Sequence, residues 1–203
     1  MKRLIIARHP RPVIQPGVCY GQLDVNAQED HLQLVAQHLT SALRPFRVQH
    51  VISSDLYRCQ ALAEQLPYQY VISPLWRERS FGSWEGQTWD DIGKSALDNW
   101  ANDPFFFAPP NGESLWDMLK RILLALALLP NHSLVIAHAG VVRCLDLLLT
   151  GKNIYANASL DYGMYRQFEW NPTWWPHRYG AEGALLQQLA IAHRGHGNFM
   201  PNR

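Results

Sequence analysis

Four places in this chain set charged, imidazole or hydroxyl side chains just past a short apolar run. They are Arg8-His9 after "LIIA", Ser53-Ser54 leading to Arg58, Arg77-Glu78, and His138-Ala139-Gly140 after "LVIA". Ligands of open α/β sheets bind beyond the carboxyl ends of the strands, so two histidines, two arginines and a carboxylate are expected on one rim. That set suits phosphoryl transfer, which needs charged oxygens held and a nucleophile and leaving-group acid placed in line. Arginine forks grip phosphate oxygens bidentately and keep their charge, so Arg8 and Arg58 can neutralise a phosphate. A neutral His9 could attack phosphorus, His138 could donate to a phosphate oxygen, and Glu78 could protonate the departing alkoxide. Taken singly, Arg8 reads as an edge residue, Arg58 and Glu78 as surface charges and His138 as a core histidine. Their shared position after strands argues for one site. A zinc site on His9 and His138 lacks further ligands at recognisable spacing, so no metal and no cofactor is expected.

The elements that would position these residues alternate between short β-branched runs and longer helical patterns, the signature of an α/β fold with a largely parallel sheet. Strands are expected over Arg3 to Ala7, Val48 to Ser53, Tyr68 to Ser73 and Ser133 to Ala137. Leu32, Val35, Leu39 and Leu43 mark one helix face, and Leu56, Cys59, Leu62 and Leu66 another, with Ser54 as its N-cap and Pro67 as its stop. Arg58 then falls in a first helical turn, where free N–H groups also favour an anion. Ser114 and Asp117 have capping-box spacing before the helix that exits at Pro130. A further helix starts at Ala139 and ends at Gly151. Later strands are expected over Tyr165 to Trp170 and Leu185 to Ala192, which could be joined as a hairpin.

"WANDPFFFAPPNG", 100–112, fits neither period; it reads either as a loop packed on the core or as a flap over a pocket, with Phe105, Phe106 and Phe107 as its cover. Residues 193–203 read as a frayed tail holding the weak pair His193 and His196. Trp174 and Trp175 could mark an interface, a lid or a packed hairpin.

The 203 residues carry 18 Lys+Arg against 17 Asp+Glu, a net charge of +1 that implies no attraction for nucleic acid or an anionic membrane. Cys19, Cys59 and Cys144 are odd in number and far apart, against a disulfide framework or a structural zinc. The apolar start is too short for a signal-peptide core, and "ILLALALL" is far short of a membrane span. A cytoplasmic protein is the expectation, and no oligomeric state is implied.

With these motifs in view, the chain resembles the histidine phosphatase superfamily, the phosphoglycerate-mutase-like phosphatases, from Arg3 to about Tyr165. "LIIARHP" is similar to the nucleophile motif, "SSDLYRCQALAEQL" to the second-arginine motif, "WRERSFGSWEG" to the acid-bearing motif, "PNGESLWDMLKR" to the downstream helix start, and "VIAHAGVVRCLDLLL" to the second-histidine motif. The resemblance implies one domain over 1–203, a three-layer α/β sandwich with a mostly parallel central sheet and helices on both faces. It also implies His9 as phosphohistidine nucleophile, Arg8, Arg58 and His138 as phosphate pocket, Glu78 as proton donor and metal-independent turnover. Pro10 and Ala139 stand where the family usually has glycine. Pro10 offers no N–H, and Ala139 would tolerate a positive φ poorly.

"GVCYGQLDV" is similar to a loop of the α-ribazole phosphatases, which act in cobalamin nucleotide-loop assembly. Tyr20 and Gly21 would then join Ala139 in binding the substrate, a small phosphomonoester such as α-ribazole 5′-phosphate. A packing role for Tyr20 and a turn at Gly21 is the simpler alternative. A phosphoglycerate mutase, a broad-specificity phosphatase or a non-catalytic phosphate-binding module would share these motifs.

Overall fold

In the computed structural model, residues 1–154 and 159–171 are described. A five-stranded sheet runs in the order β3-β2-β4-β1-β5, with β1 at Lys2–Arg8, β2 at His50–Ser53, β3 at Val71–Ile72, β4 at Ser133–Ala137 and β5 at Tyr165–Trp170. Strands β1 to β4 are mutually parallel, and β5 closes the β1 edge antiparallel. The α/β fold and its mostly parallel sheet agree with the sequence reading.

The pleat of the two central strands divides the core. Leu4, Ile6, Val135 and Ala137 face a layer built on α5 (Leu115–Leu128) and α6 (Ala139–Leu145). Ile5, Ala7, Leu134 and Ile136 face α1 (Glu29–Ala42) and α2 (Tyr57–Gln65). Both strands are buried on two faces, which explains their unbroken apolar sequences. The expected stripe of α1 is buried through Leu32, Val35 and Leu39.

Several local expectations need adjustment. The third strand is cut to Val71–Ile72, because it is an outer strand, both residues are exposed, and Pro74 opens a 3₁₀ turn directly behind it. Helix α2 begins at Tyr57 rather than next to Ser54. Ser114 and Asp117 do form a reciprocal capping box on α5. Two short helices escaped the sequence reading, α3 (Trp89–Ile92) and α4 (Lys94–Asn102). Helix α6 relaxes into a π turn over Asp146–Thr150 and stops at Gly151, whose φ of 72° suits glycine.

The phenylalanine stretch is packed rather than poised. Phe105 is 3% exposed in the core, and it and Phe106 lie against Trp116. Phe107 stacks on Trp84. The expected strand at Leu185 to Ala192, the Trp174-Trp175 segment and the tail at 193–203 lie outside the described residues. Among the described residues, no helix is long and apolar enough to cross a membrane.

Candidate active site

Strand register brings the two histidines together. Arg8 pairs with Ala137 across β1 and β4, so His9 and His138 leave neighbouring parallel strands side by side. Their ring centroids are 5.1 Å apart, close to the inter-strand spacing of about 4.8 Å. On the other side of β4, Ser53 pairs with Ile136, which places Ser54 beside His138. The Ser54 hydroxyl lies 2.9 Å from His138 Nε2 and also accepts the Leu56 N–H at 3.4 Å, just ahead of α2.

His9 is 1% exposed, and Arg58 and His138 are fully buried. The Nδ1 of His9 donates to the Pro10 carbonyl at 2.6 Å, since a carbonyl can only accept. That bond fixes the tautomer and leaves the Nε2 lone pair free. Burial, then the charges of Arg58 and Arg8, hold His9 well below the usual histidine range. His138 is lowered for the same reasons in the same order, with a further contribution from His9. Both rings are therefore neutral near pH 7.

The arginines are held by carbonyls, not carboxylates. Arg58 donates to Leu23 O at 2.9 Å and Gly21 O at 2.6 Å, and Arg8 to Leu160 O at 2.7 Å. The Nε of each is buried without a partner. Among the described residues, no carboxylate forms an ion pair with either. A buried Arg58 and a half-buried Arg8, neither with a carboxylate partner among the described residues, suit an incoming anion. Arg77, by contrast, is committed to Asp55 through bonds of 2.7 and 2.5 Å.

Glu78 is fixed from both sides, accepting the Arg79 N–H on Oε1 at 2.9 Å and the Gly140 N–H on Oε2 at 3.0 Å. A Cβ at Gly140 would lie 2.1 Å from Glu78 Oε1, so glycine is required for this contact. The Ala139 departure is harmless in conformation: Ala139 is the first residue of α6, and among the described residues only Asn111 and His132 are non-glycines with positive φ. The Pro10 departure contributes its carbonyl to His9.

Gly21 has φ of +23°, and a Cβ there would collide with Arg79 O, Glu85 Oε1 and the Phe81 ring. Its backbone serves Arg58, so this glycine shapes the pocket through packing. Tyr20 lies under Arg58, with its ring centroid 5.2 Å from the guanidinium carbon, and its hydroxyl is 2.9 Å from that of Tyr162. Tyr162 in turn carries Arg8 at 3.7 Å from its ring centroid and faces His9 at 5.5 Å.

The sequence reading missed Tyr162, Ser54 as a partner of His138, and Arg121. Arg121 donates to the carbonyls of Leu75, Arg77 and Glu78 and pairs with Glu113, fixing the loop that presents Glu78. No local pattern marks Tyr162, since its role arises only when the chain returns along β5. Among the described residues, no three His, Cys, Asp or Glu side chains gather as a metal site.

A cavity of about 320 Å³ opens beside Glu78. Tyr20, Gly21, Ala139 and Gly140 line it, with an aromatic wall of Phe81, Trp89 and Trp100. From the 100–112 stretch only Trp100 and Pro104 reach it, so the expected phenylalanine cover is replaced by tryptophan and proline.

The family model of the histidine phosphatase superfamily, branch 1, matches residues 4–175. The chain belongs to this superfamily. It is 29% identical over 164 residues, 74% of this chain and 80% of the relative, to "Putative phosphoserine phosphatase 2" of Hydrogenobacter thermophilus. Among solved structures it resembles a mycobacterial glucosyl-3-phosphoglycerate phosphatase in complex with VO3, with TM-score 0.70 and 25% identity over 82% of this chain and 92% of the other. A Thermus thermophilus protein, TTHB049, gives TM-score 0.69 and 26% identity over 83% of this chain and 94% of the other. This chain is accordingly a phosphomonoester hydrolase of the superfamily. The relatives named here carry phosphoserine and glucosyl-3-phosphoglycerate in their names rather than α-ribazole phosphate.

Proposed function

We propose that hydrolysis proceeds through a phosphohistidine on His9, without a metal, on a small phosphomonoester. The observation that carries this reading is the His9 tautomer: Nδ1 is engaged by the Pro10 carbonyl, which leaves Nε2 as the free ring nitrogen of a buried imidazole held neutral by burial and by the charges of Arg58 and Arg8. In the first step Nε2 bonds to phosphorus while the ester P–O bond breaks, and Glu78 gives its proton to the leaving alkoxide. Arg8, Arg58 and His138 hold the transferring oxygens. Glu78, now a carboxylate, takes a proton from water as that water attacks phosphorus, the P–N bond breaks, and phosphate and neutral His9 are released.

The substrate is tested as a panel. α-Ribazole 5′-phosphate follows from the Tyr20-Gly21 loop, with Phe81, Trp89 and Trp100 available to stack on its base. Phosphoserine and glucosyl-3-phosphoglycerate follow from the relatives. Phosphate release from each is measured with chelator present, alongside p-nitrophenyl phosphate and a His9→Ala control. Rapid quench should trap an acid-labile phosphohistidine in the native protein and none in the variant. Turnover by His9→Ala at the native rate, or full loss of activity to the chelator, would overturn the reading.

A further inference from the structure

The two histidines leave neighbouring strands, but their rings are anchored through different nitrogens. In His9 the Nδ1–H donates to the Pro10 carbonyl, so the nitrogen left free is Nε2, with its lone pair. In His138 the anchored nitrogen is Nε2, 2.9 Å from the Ser54 hydroxyl, and a hydroxyl can either give or take the proton of such a bond. The surroundings of Ser54 decide the direction. Its backbone N–H donates to Ile136 O at 2.9 Å, which seats it beside β4, and both it and His138 are fully buried, away from water. The Ser54 hydroxyl oxygen already accepts the Leu56 N–H at 3.4 Å, so its own proton is the part that needs a partner.

Two acceptors are within reach of that proton, the lone pair of His138 Nε2 and the sulfur of Cys59. An imidazole nitrogen is a good acceptor and a thiol sulfur a weak one. Burial pushes the Cys59 thiol up, so it keeps its own proton, which it gives to Ala137 O at 3.6 Å. Were Nε2 protonated instead, the Ser54 oxygen would take two N–H donors and its buried proton would be left with the sulfur. We propose that Ser54 is a positioning residue, whose hydroxyl donates to His138 Nε2 and so holds the neutral ring as the Nδ1–H tautomer; this rests on the hydrolase reading above. Among the described residues, the hydrogen-bond partner of Nδ1 is the Cys59 sulfur alone, 3.9 Å away at the far limit of such a contact, so the Nδ1 proton is available to a phosphoryl oxygen. The adjacent rings then share one tautomer and offer the phosphate opposite groups, His9 a lone pair and His138 a proton. A carbonyl fixes the first and a hydroxyl the second.

The tautomer is read in the substrate-free native protein, labelled with nitrogen-15 histidine, by long-range proton–nitrogen correlation near neutral pH, with His138→Gln identifying the signal. The expected spectrum has the proton on Nδ1 and a bare Nε2. Ser54→Ala should let the proton spread to Nε2 and lower kcat/KM about 10-fold, the size of one hydrogen bond. The loss should be the same on p-nitrophenyl phosphate and on an alkyl phosphate, because the phosphoryl oxygens are common to both. Ser54→Thr, which keeps the hydroxyl, should restore both tautomer and rate to within a few-fold of native. A native spectrum with the proton on Nε2 would overturn the proposal. So would a Ser54→Ala spectrum with Nδ1 still protonated, whatever the rate, since the serine would then be only structural. A moved proton with a native rate would overturn it as well, because the tautomer would not matter to turnover. If Ser54→Ala does not fold, the native spectrum and Ser54→Thr decide. Hydrolysis of no ester by the native protein would count against the hydrolase reading instead, and the spectrum would still decide on Ser54.

Discussion

Replacing Gly140 by alanine separates the acid from the nucleophile. The added Cβ would stand 2.1 Å from Glu78 Oε1, where ordinary contact begins near 3.4 Å, so the carboxylate must retreat by roughly one bond length. The 3.0 Å bond from the Gly140 N–H to Oε2 cannot survive such a shift unchanged. A misplacement of about 1 Å in a catalytic group costs on the order of 10²-fold, and a positioned general acid contributes about 10²- to 10⁴-fold. An alkyl phosphate, whose leaving alkoxide needs the proton, should lose about 10²-fold or more in kcat. p-Nitrophenyl phosphate, whose leaving group departs readily as an anion, should lose far less in the phosphorylation step. Stability should hold, because the obstructing atom ends a flexible side chain and alanine gains up to about 1 kcal/mol over glycine in a helix. The assay is steady-state kinetics on both esters with a thermal melt, alongside Glu78→Gln. Equal losses on the two esters with an unchanged melt, or native rates on the alkyl ester, would refute the role given to Glu78 and its glycine.

Further outcomes follow from the same geometry. Arg58→Met should abolish the rise in melting temperature that added phosphate gives the native protein, a rise worth about 2.7 kcal/mol at a hundred times Kd; a phosphate-dependent rise of native size in the variant would contradict the anion site. Both His9 and His138 are lowered in the fold, so below the unfolded value near 6.5 the unfolded chain binds more protons. Stability should be free of this linkage above pH 6.5 and decline as pH falls beneath it; melting midpoints of the native protein and of His138→Gln that track each other over this range would contradict that. Tyr162→Ala should impair kcat through loss of the surface that carries Arg8, while Tyr162→Phe, which keeps the ring and loses the contact to Tyr20, should stay within a few-fold; the reverse order, measured with p-nitrophenyl phosphate, would assign the role to the hydroxyl.

The parts of the site legible in sequence are those fixed by strand ends. Arg8-His9 and His138 follow continuous apolar runs, and buried parallel strands deliver whatever comes next to one rim. Arg58 is legible as a first-turn residue, although Ser54 has the chemistry of a cap and the helix starts only at Tyr57. Propensity gives no sign that a hydroxyl will be claimed by a histidine 84 positions away. Tyr162 and Arg121 lie deeper in this limit, since both act on groups brought near only by the completed sheet and by α5. The phenylalanine stretch meets the same limit: composition leaves a packed loop and a flap both open, and only the position of Trp116 and Trp84 decides for packing.

One electrostatic arrangement accounts for two requirements of the proposed chemistry. Holding Arg8 and Arg58 with carbonyl dipoles leaves both full charges available to an incoming phosphate, where carboxylate partners would have cancelled them. The same uncancelled field, acting with burial, keeps His9 unprotonated, and an imidazole that has lost its proton is the form that can attack phosphorus. When a phosphate dianion enters, it offsets the field of the arginines, and the cost of a proton on His138 falls. His138 is thus biased toward donating to a phosphoryl oxygen only when there is a phosphoryl group to receive the bond. A carboxylate introduced beside Arg58 would disturb both functions together: it would weaken phosphate binding and raise the histidine pKa values, shifting the acid limb of kcat/KM to higher pH. Weak phosphate binding with an unmoved acid limb would show that burial alone holds His9 neutral.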